Sequence, residues 1–575
     1  MGQAYQDLLQ SIPVHLRHFV VDQNYSRYTA QDHALWRYIM RRNMAFLKDV
    51  AHPAYVNGLI KTGISTEYIP NVFEMNEALG KIGWKAVIVD GFLPPAVFME
   101  FQLHRILVIS ADMRTIEHAL YTPAPDIVHE AAGHAPIIAD PEYASFLQRF
   151  GYYGTKAFSS QKDIEIYEAI RLLSIIKEYP ATPPEEIERA EADLKQKIAE
   201  NTRPSEMTLL SRMHWWTVEY GLIGTPDDYK IYGAGLLSSV GESKNCLRDS
   251  VKKLPLTLDC INYNYDITKE QPQLFVNRDW AHLNAVLEEY AETLAFRRGG
   301  VYGMEQAKSC GGVSTVQLSS GVQISGMLHG YAAEGYTINF LRMQGPVSLA
   351  VDGQQLEGHG TDYHRDGYST PVGRWKNVAK DPSGLSNGDL QKMGIVKDSR
   401  ATLEFESGIM VNGIVRRVLF HEDKLLLITW SDCTVKGPEG QILFQPDWGM
   451  FDMAVGASIP SVFSGTADKE RHNVFPPKSE KVAIPLEYDT AAQKLHAMYK
   501  QIREIRQSEK PDPAALQNIR VLLDERYPDE WLLRLELLEL SNDDGEKIHL
   551  QKALSRISQQ GSDKKELIEA GLALL

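Results

Sequence analysis

The spacing of apolar residues changes twice along this 575-residue chain, and no single uniform fold accommodates both changes. Residues 1–300 read as mostly helical, with helical periodicity around Asp32–Leu47, Asp126–Phe150 and Asn277–Phe296. Thr29-Ala-Gln-Asp32 precedes the first run but is too weak a signal to fix a cap there. Ile164–Glu200 is charged and broken at Pro183-Pro184, and reads as a helical hairpin, at about 160–203, inserted into a compact frame. Arg297-Arg-Gly-Gly300 breaks the pattern and marks a boundary. From Gly311 to Ala467 the runs are short, alternating and punctuated by glycine, as in TVQLSSGVQISG and LEFESGIMVNGIVRRVLF. Asp352-Gly353 between two such runs is a two-residue hairpin signal. After Pro476-Pro477 helical spacing returns: Leu495, Met498, Ile502 and Ile505 form one stripe, which reads as packing, and Pro513 to Leu540 gives further helices. The expectation is therefore multidomain: a mainly α domain at 1–300, a β-rich sandwich or barrel-like domain at 311–467, and a helical region at 480–575.

Charge and cysteine usage narrow the function classes. A net charge of -15 argues against nucleic acid or an anionic membrane surface, leaving small molecules or proteins as partners. Cys246, Cys260, Cys310 and Cys433 are scattered, without the close pairing of a thiolate metal site or a disulfide framework. No basic segment precedes an apolar run at the N-terminus, and no stretch approaches 18 uninterrupted apolar residues. The chain reads as cytoplasmic, with no membrane partner.

The segment Asp126-Ile-Val-His-Glu-Ala-Ala-Gly-His134 carries the most chemistry. Two histidines five apart suggest metal ligands, but 17 histidines in the chain would give about half a pair at any fixed offset by chance. A zinc-protease helix needs its histidines four apart on one face. Five apart, they point about 140° away from each other on an ideal α-helix. Both reach one ion only if the helix ends or distorts, and Gly133 and Pro136 are placed to allow that. Two histidines and one carboxylate on one face of an iron ion leave open positions for oxygen chemistry. Bland readings compete: a satisfied core pair for the histidines, a surface ion pair for an arginine, core packing for an aromatic.

At this point the chain resembles a known family. YTPAPDIVHEAAGHAPIIADPEYASF is similar to the iron-site signature of the pterin-dependent aromatic amino acid hydroxylases, the group containing phenylalanine, tyrosine and tryptophan hydroxylases. WWTVEYGLIG (215–224) and IYGAGLLSSVGES (231–243) resemble its third-ligand and substrate-side segments, and RYTAQDHALWR and VDGFLPPAVFMEF resemble its upstream part, most closely in the bacterial, phenylalanine 4-hydroxylase-like form. The resemblance covers about half of the chain; nothing after residue 300 resembles a family we can name.

The resemblance implies His129, His134 and Glu219 as catalytic iron ligands. It implies pterin contacts from the backbone near Gly91 and Leu93, ring stacking on Phe98 and a polar contact from Glu130. It implies Arg114 as the clamp on the substrate carboxylate, through a planar fork suited to bidentate pairing. Thr122, Pro125, Trp215, Gly235 and Ser238 complete the implied substrate pocket, with only one of Trp215 and Trp216 facing it. The expected cofactors are Fe(II) and a tetrahydropterin, with O2 as cosubstrate. The expected reaction is ring hydroxylation of a free aromatic amino acid, phenylalanine to tyrosine, because Ile267 is apolar at a position that varies with substrate. Tryptophan hydroxylation is the alternative, and a metal-dependent hydrolase using the same triad is the alternative of a different class. Two features depart from the family: a longer span between His134 and Glu219, and His214 in a slot usually held by an aromatic. The regions after residue 300 are read as serving homo-oligomerisation or regulation.

Overall fold

Capping and packing chemistry sets where each element begins. The structure, a computed structural model, describes residues 3–120, 125–178, 182–239, 241–267, 269–472, 488–508 and 512–575. Helix Ala30–Val50 opens with a full capping box: Thr29 accepts from the Asp32 N–H, and Asp32 accepts from the Thr29 N–H. The sequence reading had set that cap aside; satisfying two otherwise orphaned donors at once is what makes it effective. This helix is the axis of the first domain, burying Leu35, Trp36, Ile39, Met40 and Leu47.

Two small sheets accompany the helices of a region whose sequence reads as mostly helical, with no strand singled out. Lys85–Val89 and Ile106–Ser110 pair in parallel across helix Pro95–Leu103. A second sheet runs in the order Asp228–Ile231, Leu222–Thr225, Gln273–Asn277, Lys252–Pro255. Asn277 thus ends a strand rather than starting a helix. The helix begins at Trp280, where Asp279 accepts from the His282 N–H. The expected helix over Asp126–Phe150 is also interrupted, for reasons that belong to the metal centre. The hairpin consists of Gln161–Glu178 and Pro184–Glu200.

From Val313 to Ser464 the described residues form two antiparallel sheets. One runs Gln354–Gln355, Thr337–Val351, Gln323–Glu334, Val313–Gln317, Ser461–Ser464, with Gly367–Pro371 also on Thr337–Val351. The other runs Arg400–Glu404, Met410–His421, Lys424–Lys436, Ile442–Phe444, with Phe451–Ala454 also on Lys424–Lys436. Asp352 (φ 49°) and Gly353 (φ 76°) make the tight turn between paired Val351 and Gln354, the left-handed pair that a two-residue hairpin needs. Helix Gly300–Cys310 buries Met304 and Ala307 in the same cluster as Val316, Ile324 and Leu349, so it packs with the sheets that follow it.

The last helices, Thr490–Gln507, Pro513–Arg526, Leu532–Leu540, Asp544–Ser558 and Ser562–Leu572, share one core with the first domain. Residues 480–487, at the expected start of this region, and Pro476-Pro477 lie outside the described residues. Trp531 meets the Tyr38 ring edge-on at 5.1 Å, and Arg37 bridges Glu67, Glu536 and Glu539. Among the described residues no helix is long and apolar enough to cross a membrane.

Candidate metal centre

His129–His134 is a π turn, followed by the short helix Ala135–Ile137 and, after a break, helix Pro141–Gly154. In a π turn each N–H bonds the carbonyl five residues back, so residues five apart stand on one face. That is how an i, i+5 pair converges without the helix ending. A second π turn, Trp215–Glu219, continues helix Glu206–His214 and delivers the carboxylate. Segment Ala234–Ser238 lies against both turns, and glycine permits the approach. A Cβ on Gly133 would stand 2.5 Å from the Ala234 carbonyl oxygen, and one on Gly233 would stand 2.5 Å from that of Glu219. The part played by Gly133 is therefore close approach rather than helix termination.

The three side chains bring one donor atom each within 4.8 Å of one another. His134 Nε2 lies 3.2 Å from His129 Nε2 and 3.2 Å from Glu219 Oε1, and His129 Nε2 lies 3.3 Å from Glu219 Oε2. Metal–ligand bonds of about 2.0–2.2 Å in tetrahedral or octahedral geometry put neighbouring donors about 2.8–3.6 Å apart, so the residues fit one ion. Glu219 is held well below the usual carboxylate range: burial opposes this, and the two histidines overcome it. A cation at the centre would meet the same need.

His129 is oriented from behind. Its Nδ1 lies 3.1 Å from Ser238 Oγ, and Ser238 donates its own proton to the Ala234 carbonyl at 2.8 Å. The hydroxyl oxygen is thus the acceptor, which puts the imidazole proton on Nδ1 and leaves Nε2 free for a metal. His214 is buried edge-on to Phe98 (5.6 Å) and Phe150 (5.2 Å), with Nδ1 3.8 Å from Glu219 Oε1 and Nε2 without a hydrogen-bond partner. Burial lowers its pKa to about 4, which keeps it neutral.

A cavity of about 300 Å³ opens over the His129–His134–Glu219 triangle. Leu93, Phe98, Arg114, Pro125, His129, Trp215, Glu219, Gly235 and Ser238 all line it, so most of the residues singled out from the sequence come together. Three others, His134, Gly91 and Glu130, do not line it. His134 stands behind the lining, buried. Gly91 is exposed in a left-handed turn (φ 71°) with Phe92 and Leu93, not itself, at the wall. Glu130 is buried, accepts from the Ser110 N–H at 3.3 Å, and is pushed up to about 8 by desolvation. Thr122 lies outside the described residues. Trp215 faces the cavity, stacked on Tyr265 at 4.4 Å, whereas Trp216 is buried and donates to the Tyr263 carbonyl.

Arg114 is tied up more than the sequence suggested. Its Nε and Nη2 donate to the two carboxylate oxygens of Asp126 at 2.7 and 2.8 Å, so the bidentate edge serves an internal pair. The sequence reading missed Asp126 in this role, although an acid three residues before a ligand histidine was a usable signal. It also missed Glu242, which lines the cavity, accepts from the Tyr220 hydroxyl at 2.7 Å, and is raised to about 7 chiefly by burial.

Residues 11–175 and 191–302 match the family described as biopterin-dependent aromatic amino acid hydroxylase, leaving residues 1–10, 176–190 and 303–575 outside. The chain is 32% identical over 226 residues to phenylalanine-4-hydroxylase of Ralstonia nicotianae, covering 39% of this chain and 58% of that one. It is 30% identical over 262 residues to the Chromobacterium violaceum phenylalanine-4-hydroxylase, covering 45% of this chain and 73% of that one. Among solved structures, the C. violaceum enzyme with bound iron(III) and 7,8-dihydrobiopterin aligns with a TM-score of 0.38 and 26% identity, over 51% of this chain and 94% of that one.

Proposed function

Because the chain belongs to the biopterin-dependent aromatic amino acid hydroxylase family, we propose that it hydroxylates the ring of a free aromatic amino acid, phenylalanine to tyrosine, with Fe(II), a tetrahydropterin and O2. The observation that carries this reading is the His129–His134–Glu219 triangle at the floor of a cavity walled by aromatic rings and a buried guanidinium. The three residues would hold iron on one face, leaving its other positions toward the cavity. Iron and pterin, when bound, supply the activation of oxygen.

The chain's own share is binding, orientation and exclusion of water. Phe98 and Leu93 offer apolar surface to a flat heterocycle. His214 lines the same wall, edge-on to Phe98. Arg114, held rigid by Asp126, would present its remaining N–H groups to the substrate carboxylate. Glu242 is placed for the substrate ammonium, which would favour its ionised form. Trp215, Pro125 and Ile267 supply an apolar wall for the ring, and Ile267 offers nothing to a para hydroxyl, which supports phenylalanine over tyrosine. All four cysteines are free, which suits a reducing cytoplasm.

The test is turnover by Fe(II)-reconstituted protein with tetrahydropterin and O2, given phenylalanine, tryptophan and tyrosine in turn, with His134→Ala as control. Tyrosine formed from phenylalanine and absent in the variant is the expected result. No hydroxylated product from any of the three, with iron bound, overturns the proposal.

A further inference from the structure

A second cluster of metal-ligating side chains lies in the β-rich region. Among the described residues, His359, His364 and Asp452 bring one donor atom each within 4.8 Å of one another, and all three are buried. His359 Nδ1 and His364 Nε2 are 3.2 Å apart, the edge expected of a polyhedron with metal–nitrogen bonds of about 2.0–2.1 Å. The two histidines are again five apart, here on the loop between Gln354–Gln355 and Gly367–Pro371. Backbone bonds fix the loop: Leu349 donates to the His359 carbonyl, Val347 to that of His364. Asp452 comes from Phe451–Ala454, a strand of the other sheet.

The carboxylate argues for a cation. Asp452 is 5% exposed, and among the described residues its carboxylate accepts from the neutral hydroxyls of Thr429, at 2.6 Å, and Tyr363. Among the described residues it has no ion pair with lysine or arginine. An anion removed from water and met only by neutral donors is costly, whereas a divalent ion shared with two imidazoles neutralises it. The hydroxyls would then orient the carboxylate, as outer-shell donors do at metal sites. We propose that His359, His364 and Asp452 bind a divalent first-row transition ion of zinc-like preference, which pins the loop of one sheet to a strand of the other. Two nitrogens and one oxygen, with no thiolate, select that class over calcium or magnesium. The near-complete burial suits a structural ion.

The test is metal stoichiometry of the full chain, read independently of any activity. Apo protein would be loaded with Zn2+, then separately with Co2+, freed of excess, and assayed by elemental analysis and visible absorption. We expect two equivalents in the wild type, one in Asp452→Asn, one in Glu219→Gln, and none in the double variant. Asp452→Asn keeps the shape and the hydroxyl contacts, and circular dichroism checks its fold. Should it misfold, the Glu219→Gln protein alone decides: one retained equivalent supports the site, and none overturns it. One equivalent in the wild type that Glu219→Gln abolishes and Asp452→Asn leaves intact also overturns it, without touching the hydroxylase reading.

Discussion

Ser238→Ala should weaken metal binding at the first centre while leaving all three ligands in place. The Ser238 hydroxyl is committed as a donor to the Ala234 carbonyl, so it can only accept from His129 Nδ1. Removing it frees the imidazole to rotate and to place its proton on Nε2, where it blocks the metal. A net hydrogen bond of about 0.5–1.5 kcal/mol is lost, with an added penalty for a partly buried donor left unpaired. The His129 side chain is 21% exposed, so water restores part of that penalty. A total of about 1–2 kcal/mol corresponds to a roughly 5- to 30-fold rise in the Fe(II) dissociation constant, overlapping the lower part of the roughly 10- to 100-fold typical of outer-shell partners. Chelator competition on wild type and variant measures the ratio directly, with circular dichroism as the folding control. A ratio under about 3 would refute the tautomer argument, because the imidazole would then keep its orientation and its Nδ1 proton without the Ser238 acceptor.

Gly133→Ala puts a methyl 2.5 Å from the Ala234 carbonyl oxygen, so segment and π turn must separate; a loss of about 1–3 kcal/mol in stability is expected in thermal melts, together with weaker iron binding. Unchanged metal affinity would mean the turn does not depend on that contact. Glu242 has a folded pKa of about 7 against an ordinary 4.5, so between those values the unfolded chain loses a proton that the folded chain keeps, and stability falls as pH rises. The penalty is fully present above pH 7, at about 3 kcal/mol, and absent below 4.5; Glu242→Gln should therefore stabilise the ligand-free protein at pH 8 but not at pH 4, as denaturant titrations at the two pH values would show. Arg37→Met leaves Glu536 and Glu539 with Arg506 and Arg41 only, and removal of one partner from a buried pair costs about 3–5 kcal/mol. The remaining arginines put the expected loss at the lower end, and a melting temperature equal to wild type would contradict it.

Much of the candidate first centre is legible in the sequence because its proposed ligands sit in short contiguous motifs. The five-residue histidine spacing demands a distorted helix, but not which distortion. A π turn differs from an α turn by one slip in hydrogen bonding, and packing of Gly133 on Ala234, a hundred residues away, favours it. Asp126 stands in the legible motif, but that it pairs with Arg114, twelve residues earlier, is visible only in the fold. In the β-rich region, alternation and Asp352-Gly353 give the strands and a turn. Asp452, on another sheet, has no local pattern linking it to His359 and His364. The stripe of Leu495, Met498, Ile502 and Ile505 is plainly apolar in sequence, but nothing local reveals that it shares a core with helix Ala30–Val50.

That shared core bears on how the regions outside the family match relate to the cavity. Phe98 sits on helix Pro95–Leu103, and Glu100 of the same helix is buried between His15 and Lys469, which follows the β-rich region. Glu219 ends the run that begins at Glu206. The Glu206 carboxylate accepts from the N–H groups of Phe158 and Ala295, both in the apolar cluster of the first β-sheet. Asn43 of helix Ala30–Val50 donates to the Leu237 carbonyl beside Ser238, while Arg37, Tyr38 and Arg42 of that helix hold the last helices. Phe98, Glu219 and Ser238, the proposed cofactor platform, ligand carboxylate and ligand-orienting hydroxyl, are each supported by an element that also touches the C-terminal half. Cutting the chain near residue 305 would therefore remove the partners of Tyr38 and of the cluster that holds Phe158 together, so lost turnover in a truncated protein would report lost packing as readily as lost regulation. Point changes at Lys469 or Arg37, which leave both cores covered, are the perturbations that separate the two.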